Sequence, residues 1–548
     1  MKLRGYTRRQ FLRMSAAAGA AVPALLAACS PKTSSSRRPL RVGWSTEPDT
    51  MNPLTTYSTE ADEVLQLVYD KLLDYDTSLK EGPGLAESSA YSSDGKSITY
   101  RLRPGVKWHD GKAFTADDVT FTFDLIHRHN LSQYAQWLVD MTATEATDAN
   151  TVTVHFKRPQ AFDPGLAIPI VPQHIWQRMS PDAIQKFPNA KPIGTGPFRF
   201  TQWQKGQTVE VARNESWWGA KPAAPSIIWV LYDNEDVMAQ GLRSGDVDTL
   251  TEVPPTIWDG LRGASNVKAV SMPSFSFHHI GINVSKSSKS GGNPLLMDRT
   301  IRQALSYAVD RNQLVQLALA GHGRPGSVLL PPALGDWQYQ VPAAAQMNAN
   351  PDRAKQLLDA AGYVDGNGDG IRESRDGKPL SFRLIAIEST TVDVRAAELF
   401  RDAASNVGIK LNLSTLDENT LGNTVYNASA PDWDIFVWGW DSGVADPDYL
   451  LGVPLCSQIG SNNDVYYCDQ TYDDEYDQQA TDLDRSTRLQ VVQDMQKKFY
   501  EDTAYIVMWY QDKLQAYRTT SWTGWTPVPG GMIFNFTRGN YLKVRPVA

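Results

Sequence analysis

The stretch DGNGDGIRESRD, residues 365–376, spaces its oxygen-bearing residues as a site for a hard cation would. Oxygens at loop positions 1, 3, 5, 7, 9 and 12, with a glycine at position 6, form the pattern that surrounds Ca²⁺. Gly370 supplies that glycine, and a backbone carbonyl serves at position 7. The predicted ligands are Asp365, Asn367, Asp369, Ile371 through its carbonyl, Glu373 and Asp376.

Two features of this segment depart from the EF-hand loop whose spacing it matches. Its last position is an aspartate where glutamate is usual, and the segment leads into a predicted strand, LSFRLIAI at 380–387, instead of a second helix. A solvated Asp/Gly turn is therefore the alternative. We expect a structural calcium ion remote from any binding cleft, and no other cofactor.

A second group, FVWGWDSG at 436–443, combines aromatic rings, a carboxylate and loop backbone. Phe436, Trp438 and Trp440 alternate as on a strand, which ends in the loop DSGVADPD. Aromatic walls with exposed backbone suit a pocket that accepts varied ligands. Core packing of both tryptophans is the alternative, because they share one strand face. The candidate binding residues here are Trp438, Trp440, Asp441, Ser442 and Gly443.

The adjacent histidines of SFSFHHIGINVSK, residues 274–286, form the closest histidine pair in the sequence. Neighbouring residues on a strand point to opposite faces, which argues against a joint metal site. We expect one of the two to face the cleft, and we favour His279 as the structural one. Phe277 and His278 are therefore added to the candidate binding residues.

The N-terminal residues carry the pattern of an exported protein. Arg8 and Arg9 in TRRQFLR match a twin-arginine signal. The apolar run that follows is too short for a spanning helix, which needs about 20 residues. The tetrapeptide LAAC resembles a bacterial lipobox, so we expect cleavage before Cys29 and a lipid on its thiol. An ordinary signal peptide is the alternative, and residues 29–37 are polar and Ser-rich like a tether.

Cys456 and Cys468 are the two remaining cysteines. An exported chain meets an oxidising environment, in which such a pair persists as a disulfide. Closing a loop of this size stabilises the fold by roughly 2–3 kcal/mol in the chain-entropy model. Two buried thiols are the alternative.

The composition is that of a large globular protein. The chain has 548 residues, of which 41% are hydrophobic and 16 are tryptophan. Its net charge is −8, and the residues before Cys29 hold five cations and no acid, so the remainder carries −13. An acidic body argues against nucleic acid and anionic lipid as partners.

The segment 95–129 predicts a strand, a turn and a helix. Ile98, Tyr100 and Leu102 alternate on the strand, HDGKAF forms the turn, and Thr115 with Asp118 forms a capping box. The helix face that we expect to be buried holds Val119, Phe123 and Ile126.

This segment and five others, in their order and spacing, closely resemble the family 5 extracellular solute-binding proteins, the oligopeptide, dipeptide and nickel receptors of ABC importers. The resemblance covers essentially the whole mature chain, and VKWHDGKAFTADDV is its most specific block. The five other segments are LVYDKLLDYD at 67–76, GLAESSAYSSDGKSITY at 84–100, PIGTGPFRF at 192–200, DRTIRQALSYAVDRNQLVQLAL at 298–319 and DWDIFVWGWDSGVADPDYLL at 432–451.

The resemblance implies an α/β fold of the type II periplasmic-binding-protein kind, in which two lobes close by a hinge and a third domain is added. Residues 274–286 and 508–517 are expected to cross between the lobes. The implied divisions are a signal peptide at 1–28, a lipidated tether at 29–37, a hinge-adjacent lobe from 38–58, 192–276 and 512–548, an extra domain at 59–191 and an opposite lobe at 277–511.

The resemblance also implies that peptides are captured between the lobes. In peptide-binding members an aspartate four residues before the proline of a DP turn pairs with the ligand's α-ammonium group. Here Pro447 places Gly443 at that position, and the nearest acid is Asp441. Either Asp441 takes the role, or a free amino terminus is not what binds.

Three alternatives to a peptide receptor follow. Related receptors bind oligosaccharides such as cellobiose or other small solutes, and a nickel chelate is a minor option. An exported hydrolase is disfavoured, because the sequence has no HExxH or GxSxG motif. We expect no enzyme activity.

The expected partners follow from the same resemblance. They are a peptide or small-molecule ligand, a permease with its ATPase subunits, and the membrane through the lipid on Cys29. We expect a monomer with no nucleic-acid partner, held at the outer face of the cytoplasmic membrane or in the periplasm.

Overall fold

The computed structural model describes residues 38–547, apart from residues 57, 132 and 534–536. The predicted signal peptide, the lipidated Cys29 and the tether therefore lie outside the described residues. Among the helices that are described, none has both the length and the apolar composition needed to cross a membrane.

The first part of the described chain is one strand followed by the region predicted as an extra domain. Four of its strands form an antiparallel sheet in the order β4-β5-β7-β6, and β2 pairs with β3. The elements are β1 (Leu40–Trp44), α1 (Thr59–Val68), β2 (Leu73–Tyr75), β3 (Glu81–Pro83), β4 (Ala86–Tyr91), β5 (Ser97–Leu102), α2 (Ala116–His129), β6 (Met141–Asp148), β7 (Thr151–Phe156), α3 (Gln173–Trp176) and α4 (Pro181–Gln185).

The predicted strand, turn and helix of 95–129 are confirmed in β5 and α2. Every second residue of β5 is buried, beginning with Ile98. The capping box forms at the start of α2, where the Thr115 N–H donates to the Asp118 carboxylate at 3.0 Å. The buried helix face includes Val119, Phe123 and Ile126, as the 3.6-residue period predicts.

The next part of the chain builds one half of a large mixed sheet. Strand β1 pairs in parallel with two of its strands, β10 and β11. The elements are β8 (Phe198–Gln204), β9 (Thr208–Arg213), β10 (Ser226–Leu231), α5 (Glu235–Ser244), β11 (Thr249–Leu250), α6 (Pro255–Arg262) and β12 (Val267–Pro273).

The third part builds the other half of the sheet, in the order β16-β15-β17-β13. Helices cover this half, and α10 contacts β15, β16 and β17. The elements are β13 (Ser276–Ile282), α7 (Arg299–Ala308), α8 (Arg311–Ala318), β14 (Gly323–Pro325), α9 (Pro351–Ala361), β15 (Ser381–Ile387), α10 (Thr391–Ser405), β16 (Lys410–Leu416), α11 (Glu418–Val425), β17 (Ile435–Asp441), α12 (Asp448–Gly452), α13 (Gln470–Thr481) and α14 (Arg485–Asp502).

One long strand, β18 (Tyr505–Arg518), joins the two halves. Its first residues pair with β13 and its last residues pair with β12 and β11. The predicted boundary between residues 511 and 512 falls inside this strand. The chain ends with β19 (Trp522–Thr523), α15 (Gly539–Lys543) and β20 (Arg545–Pro546).

Two polar contacts join the region of residues 59–191 to the region of residues 277–511. Arg158 Nη1 lies 2.9 Å from Asp477 Oδ1, and the Ala161 N–H donates to the Ala480 carbonyl at 2.9 Å. These two regions, the closing regions, therefore touch each other directly.

Candidate functional site

A cavity of about 230 Å³ lies between the region of residues 59–191 and the loop that follows β17. One wall consists of α1 and of residues near Trp137 and Pro169. The other wall is formed by Asp441, Ser442 and Gly443 and by Tyr449 of α12. A ligand in this cavity would contact both closing regions at once.

Helix α1 presents one of its faces to this cavity. Its start is fixed by Ser58, whose Oγ accepts a hydrogen bond from the Ala61 N–H at 3.1 Å. Polar and aromatic residues three or four positions apart then fall on one side of the helix. The residues of this face that line the cavity are Thr59, Asp62, Gln66 and Tyr69.

The opposite face of α1 is anchored in the core through Glu63. This carboxyl group is only 4% exposed. It accepts hydrogen bonds from Trp44 Nε1 at 3.1 Å, from Trp229 Nε1 at 2.7 Å and from the Tyr541 hydroxyl. Burial raises its pKa to about 7, although the three hydrogen bonds oppose that rise. The helix is therefore attached to β1, β10 and α15, on the far side of the predicted boundary at residue 59.

A smaller cavity adjoins the first one around Thr59. Glu60, Glu252 and Lys513 line it, and Lys513 Nζ lies 3.2 Å from Glu252 Oε2. The nearby ammonium group lowers the pKa of Glu252 against the effect of burial. Lys513 thus already has a counter-charge within the protein, the carboxylate of Glu252.

The two carboxylates that line the main cavity have raised pKa values. Burial raises the pKa of Asp62 to about 7, the charge of Asp49 adds to this rise, and Lys71 opposes it. Burial raises the pKa of Asp441 to about 6, with Lys513 opposing and Glu252 adding. Asp441 remains solvent-exposed at the cavity wall, so its environment is a narrow cleft and not a sealed core.

A fully buried carboxylate, Asp464, lies behind the cavity wall. Its Oδ2 accepts hydrogen bonds from Trp438 Nε1 and Trp440 Nε1, both at 2.9 Å, and its Oδ1 accepts one from the Tyr505 hydroxyl. His279 Nε2 lies 3.4 Å from Oδ2. The indole N–H groups of the two tryptophans predicted to bind a ligand thus both donate to one buried carboxylate.

The two histidines lie on opposite faces of β13. His278 stacks on Trp509, and its Nδ1 lies 2.9 Å from Asp393 Oδ1. Burial lowers the pKa of His278, but the charge of Asp393 more than offsets this and raises it overall. His279 is fully buried beside Asp464, and burial lowers its pKa. The prediction that His279 is structural agrees with this placement.

The structure brings only part of the nominated set to the cavity. Asp441, Ser442 and Gly443 line it, and Trp440 packs edge-on against the lining Tyr449 at 6.4 Å. Phe277 does not reach it: this side chain is fully buried on the β13 face that packs against Tyr505. Its nomination is therefore corrected to a core role.

The wall formed by α1 was missed in the sequence. The available signal was the period of Thr59, Asp62, Gln66 and Tyr69 in TEADEVLQLVY, which places polar groups on one helix face. Other missed lining residues include Lys71, Tyr134, Trp137 and Tyr449.

The predicted calcium loop gathers three of its six nominated residues. Ligand oxygens of Asp365, Asp369 and Glu373 all lie within 4.8 Å of one another. Backbone N–H groups of Gly368 and Gly370 donate to Asp365 and hold the loop in a tight turn. Asn367 lies in the same turn, where its Nδ2 donates to Glu373 Oε1, and Ile371 donates its N–H to Asp369.

Asp376 lies outside that cluster. Its carboxylate accepts a hydrogen bond from Ser374 Oγ at 2.6 Å and lies 3.1 Å from Lys378 Nζ. The strand β15 follows the loop, as the sequence predicted. The last position of the predicted loop is therefore bound by the protein itself.

The predicted disulfide is confirmed between Cys456 and Cys468. The ring that it closes contains Asp464, which lies on neither a helix nor a strand. Within the ring, Asn463 Nδ2 donates to the carbonyls of Leu455 and Tyr467. The covalent bond therefore constrains the segment that carries the buried carboxylate.

Comparisons with known proteins agree with this architecture. A profile described as bacterial extracellular solute-binding proteins, family 5 Middle, matches residues 80–462. Protein XP55 of Streptomyces lividans is 30% identical over 521 residues, which cover 93% of this chain and 91% of that protein. The oligopeptide-binding protein AppA of Bacillus subtilis is 27% identical over 490 residues, 87% of each chain.

Solved structures extend the similarity to the fold. The structure of AppA from Bacillus subtilis in complex with a nonapeptide is 25% identical, with a TM-score of 0.76 over 93% of this chain and 99% of that chain. A periplasmic oligopeptide-binding protein of Thermotoga maritima is 21% identical, with a TM-score of 0.81 over 94% and 100% of the two chains. The predicted two-lobed α/β fold with an added domain is confirmed.

Proposed function

Since the chain belongs to the bacterial extracellular solute-binding proteins of family 5, we propose that it captures peptides between its two lobes and delivers them to the permease of an ABC importer. The observation that carries this proposal is the cavity lined from both closing regions. A ligand there stabilises the closed form because it contacts both walls only when they meet. The family relationship and the peptide bound to AppA supply the ligand class.

The chemistry of the cavity suits a short peptide. Gly443, which is exposed, offers backbone groups that can pair with a peptide main chain, and this requires no particular side chain. Asp441 offers a carboxylate for an α-ammonium group. Burial raises its pKa, and the charge of Lys513 offsets that rise only in part. We assign Asp441 the role that an aspartate four residues before the DP turn plays in related receptors.

An oligosaccharide ligand is less well supported. Stacking on a sugar needs freely presented ring faces, whereas Trp438 and Trp440 are fixed by hydrogen bonds to Asp464. Each ring also packs on a further aromatic residue, Tyr426 and Tyr449 respectively.

Native mass spectrometry of the purified protein tests the ligand class. We expect co-purified masses that form a peptide ladder, and ligand that is released unchanged. A series of hexose masses would instead support the oligosaccharide alternative, and turnover of an added peptide pool would contradict a receptor without enzyme activity.

We also propose the location and the partners. A lipid on Cys29 would hold the receptor at the outer face of the membrane as a monomer beside its permease and ATPase subunits, and no nucleic acid is involved. Intact-mass analysis of the membrane fraction should show a diacylglyceryl group on the mature N-terminus. A Cys29→Ala variant that stayed at the membrane would contradict this proposal.

The loop at residues 365–376 is proposed to hold a structural Ca²⁺ through Asp365, Asp369 and Glu373. The cluster of their oxygens supports this set, and Asp376 is left out because Ser374 and Lys378 bind it. Added Ca²⁺ should raise the melting temperature, and Glu373→Gln should remove that response. Asp376→Asn is the matched control and should keep it, and no response of the unmodified protein would contradict the proposal.

A further inference from the structure

Carboxyl groups outnumber ammonium groups in the two adjoining cavities. Asp62 and Asp441 line the larger cavity together with Lys71, and Glu60 and Glu252 line the smaller one together with Lys513. Glu63, also beside the smaller cavity, is not counted, because three donors of the core bind it. Lys513 is paired with Glu252 at 3.2 Å. The cations of the protein therefore do not balance the charge that faces a ligand.

The two carboxylates of the larger cavity are separate recognition points. Asp62 extends from α1 and faces Asp49, Glu60 and Lys71. Asp441 extends from the end of β17, in the other closing region, and faces a different set of charged groups, Lys513, Glu252 and His278. One small cation at Asp441 would leave Asp62 without a counter-charge.

Lys71 fills that role for Asp62 only in part. Its charge lowers the pKa of Asp62 without offsetting the effect of burial, and Asp74 is the acid that acts most strongly on Lys71, ahead of Asp62. The ammonium group of Lys71 also lies 6.0 Å from the centre of the Tyr75 ring.

We propose that the preferred ligand is a short peptide with two cationic groups, an α-ammonium group held by Asp441 and a basic side chain held by Asp62. This inference rests on the proposed function and adds the charge of the ligand to it.

Isothermal titration calorimetry with two isosteric dipeptides tests the proposal. In Ala-ornithine a terminal ammonium group stands where Ala-norleucine has its terminal methyl group. We expect Ala-ornithine to bind at least about tenfold more tightly, the value of one charge-assisted hydrogen bond. The same pair extended by one C-terminal alanine covers a longer ligand.

Variants then assign the preference to its residue. In Asp62→Asn the affinity ratio of Ala-ornithine to Ala-norleucine should fall to about one. Glu145→Gln, which alters an exposed carboxylate of the same region, should keep the ratio of the unmodified protein.

The outcomes separate the inference from the proposed function. Equal affinity for the two isosteres, or an unchanged ratio in Asp62→Asn, would overturn the cationic preference and leave a peptide receptor standing. If neither dipeptides nor tripeptides bind, the proposed function itself is wrong. The first comparison uses the unmodified protein, so it does not depend on the folding of any variant.

Discussion

Asp441 and Asp464 lie within one lobe and are both close to Trp440, yet their surroundings are opposite. Asp464 is fully buried, and three hydrogen-bond donors converge on its two oxygens. Asp441 faces the cavity, and burial between the walls raises its pKa to about 6. Asp62 on the facing wall resembles Asp441, with a pKa of about 7.

The difference in surroundings distinguishes a carboxylate that stabilises the cavity wall from carboxylates that are available to a ligand. A buried charge with several donors is part of the fold, since removing it leaves those donors unsatisfied. A carboxylate with a raised pKa in a cleft is a candidate for function, because its charged form lacks a partner until one binds.

The largest expected effect is on stability, from Asp464→Ala. This change leaves the indole N–H groups of Trp438 and Trp440 and the hydroxyl of Tyr505 without their acceptor. We expect a loss of roughly 3–5 kcal/mol in the free energy of unfolding, measured by urea denaturation. Asp441→Ala is the control and should unfold at nearly the same urea concentration as the unmodified protein. Equal losses in the two variants would remove the distinction between these carboxylates.

Opening the ring that carries Asp464 should have the next largest effect. The double variant Cys456→Ser, Cys468→Ser removes the disulfide and should cost about 2–3 kcal/mol of stability through loop-closure entropy. If the disulfide-closed ring positions Asp464, removing the disulfide and the Asp464 carboxylate in one protein should cost less stability than the sum of the two separate losses. Strict additivity would show that the ring and the carboxylate act independently.

Asp441→Asn should weaken binding without weakening the fold. Loss of one charged partner should lower the affinity for a peptide with a free amino group by roughly tenfold or more. The N-acetylated form of the same peptide, which lacks that charge, should bind both proteins with similar affinity. Calorimetry in which Asp441→Asn kept full affinity for the free-amino peptide would disprove the ammonium role.

The smallest expected effect is the dependence of stability and binding on pH. The pKa of Asp62 rises from 3.8 to about 7 in the folded, ligand-free protein. The protonated carboxyl therefore contributes stability below pH about 4 that is lost as the pH rises towards 7. Affinity for a cationic ligand should change in the opposite direction and rise between pH 5 and about 8, because the ligand needs the charged form.

Other groups titrate in the same range of pH, so a difference measurement is needed. Glu63 has a pKa of about 7 and Asp441 of about 6, and His278 is raised above its ordinary value. The slope of the melting temperature against pH should therefore be shallower in Asp62→Asn than in the unmodified protein, without vanishing. Identical slopes would contradict the environment assigned to Asp62.

Local patterns predicted much of this molecule. The strand β5 and the helix α2 were predictable because buried residues recur at a fixed spacing in each element. The disulfide was predicted from the number of cysteines in an exported chain. The order and spacing of the segments resembled those of a known family, and that resemblance implied the two lobes. Asp441, Ser442 and Gly443 were found because a strand rich in aromatic residues ended there.

The remaining errors concern which face of an element meets which neighbour. Phe277 and His278 are adjacent, and only the pairing of β13 with β17 and β18 decides that Phe277 enters the core. The cavity face of α1 was missed for the same reason. Asp62 and Glu63 are adjacent acids, but Asp62 lines the cavity and Glu63 is bound in the core. Such choices depend on contacts between residues more than a hundred positions apart, which no local spacing records.

The two faces of α1 have a consequence for how this receptor can change its ligand over evolutionary time. The fold holds the helix through Glu63, whereas Asp62 and Gln66 line the cavity. Substitutions at these two positions can therefore accumulate without removing the hydrogen bonds of Glu63. If Asp62 sets the charge preference that we propose, a change at that one position would alter it, while the wall behind Trp440 stays as it is.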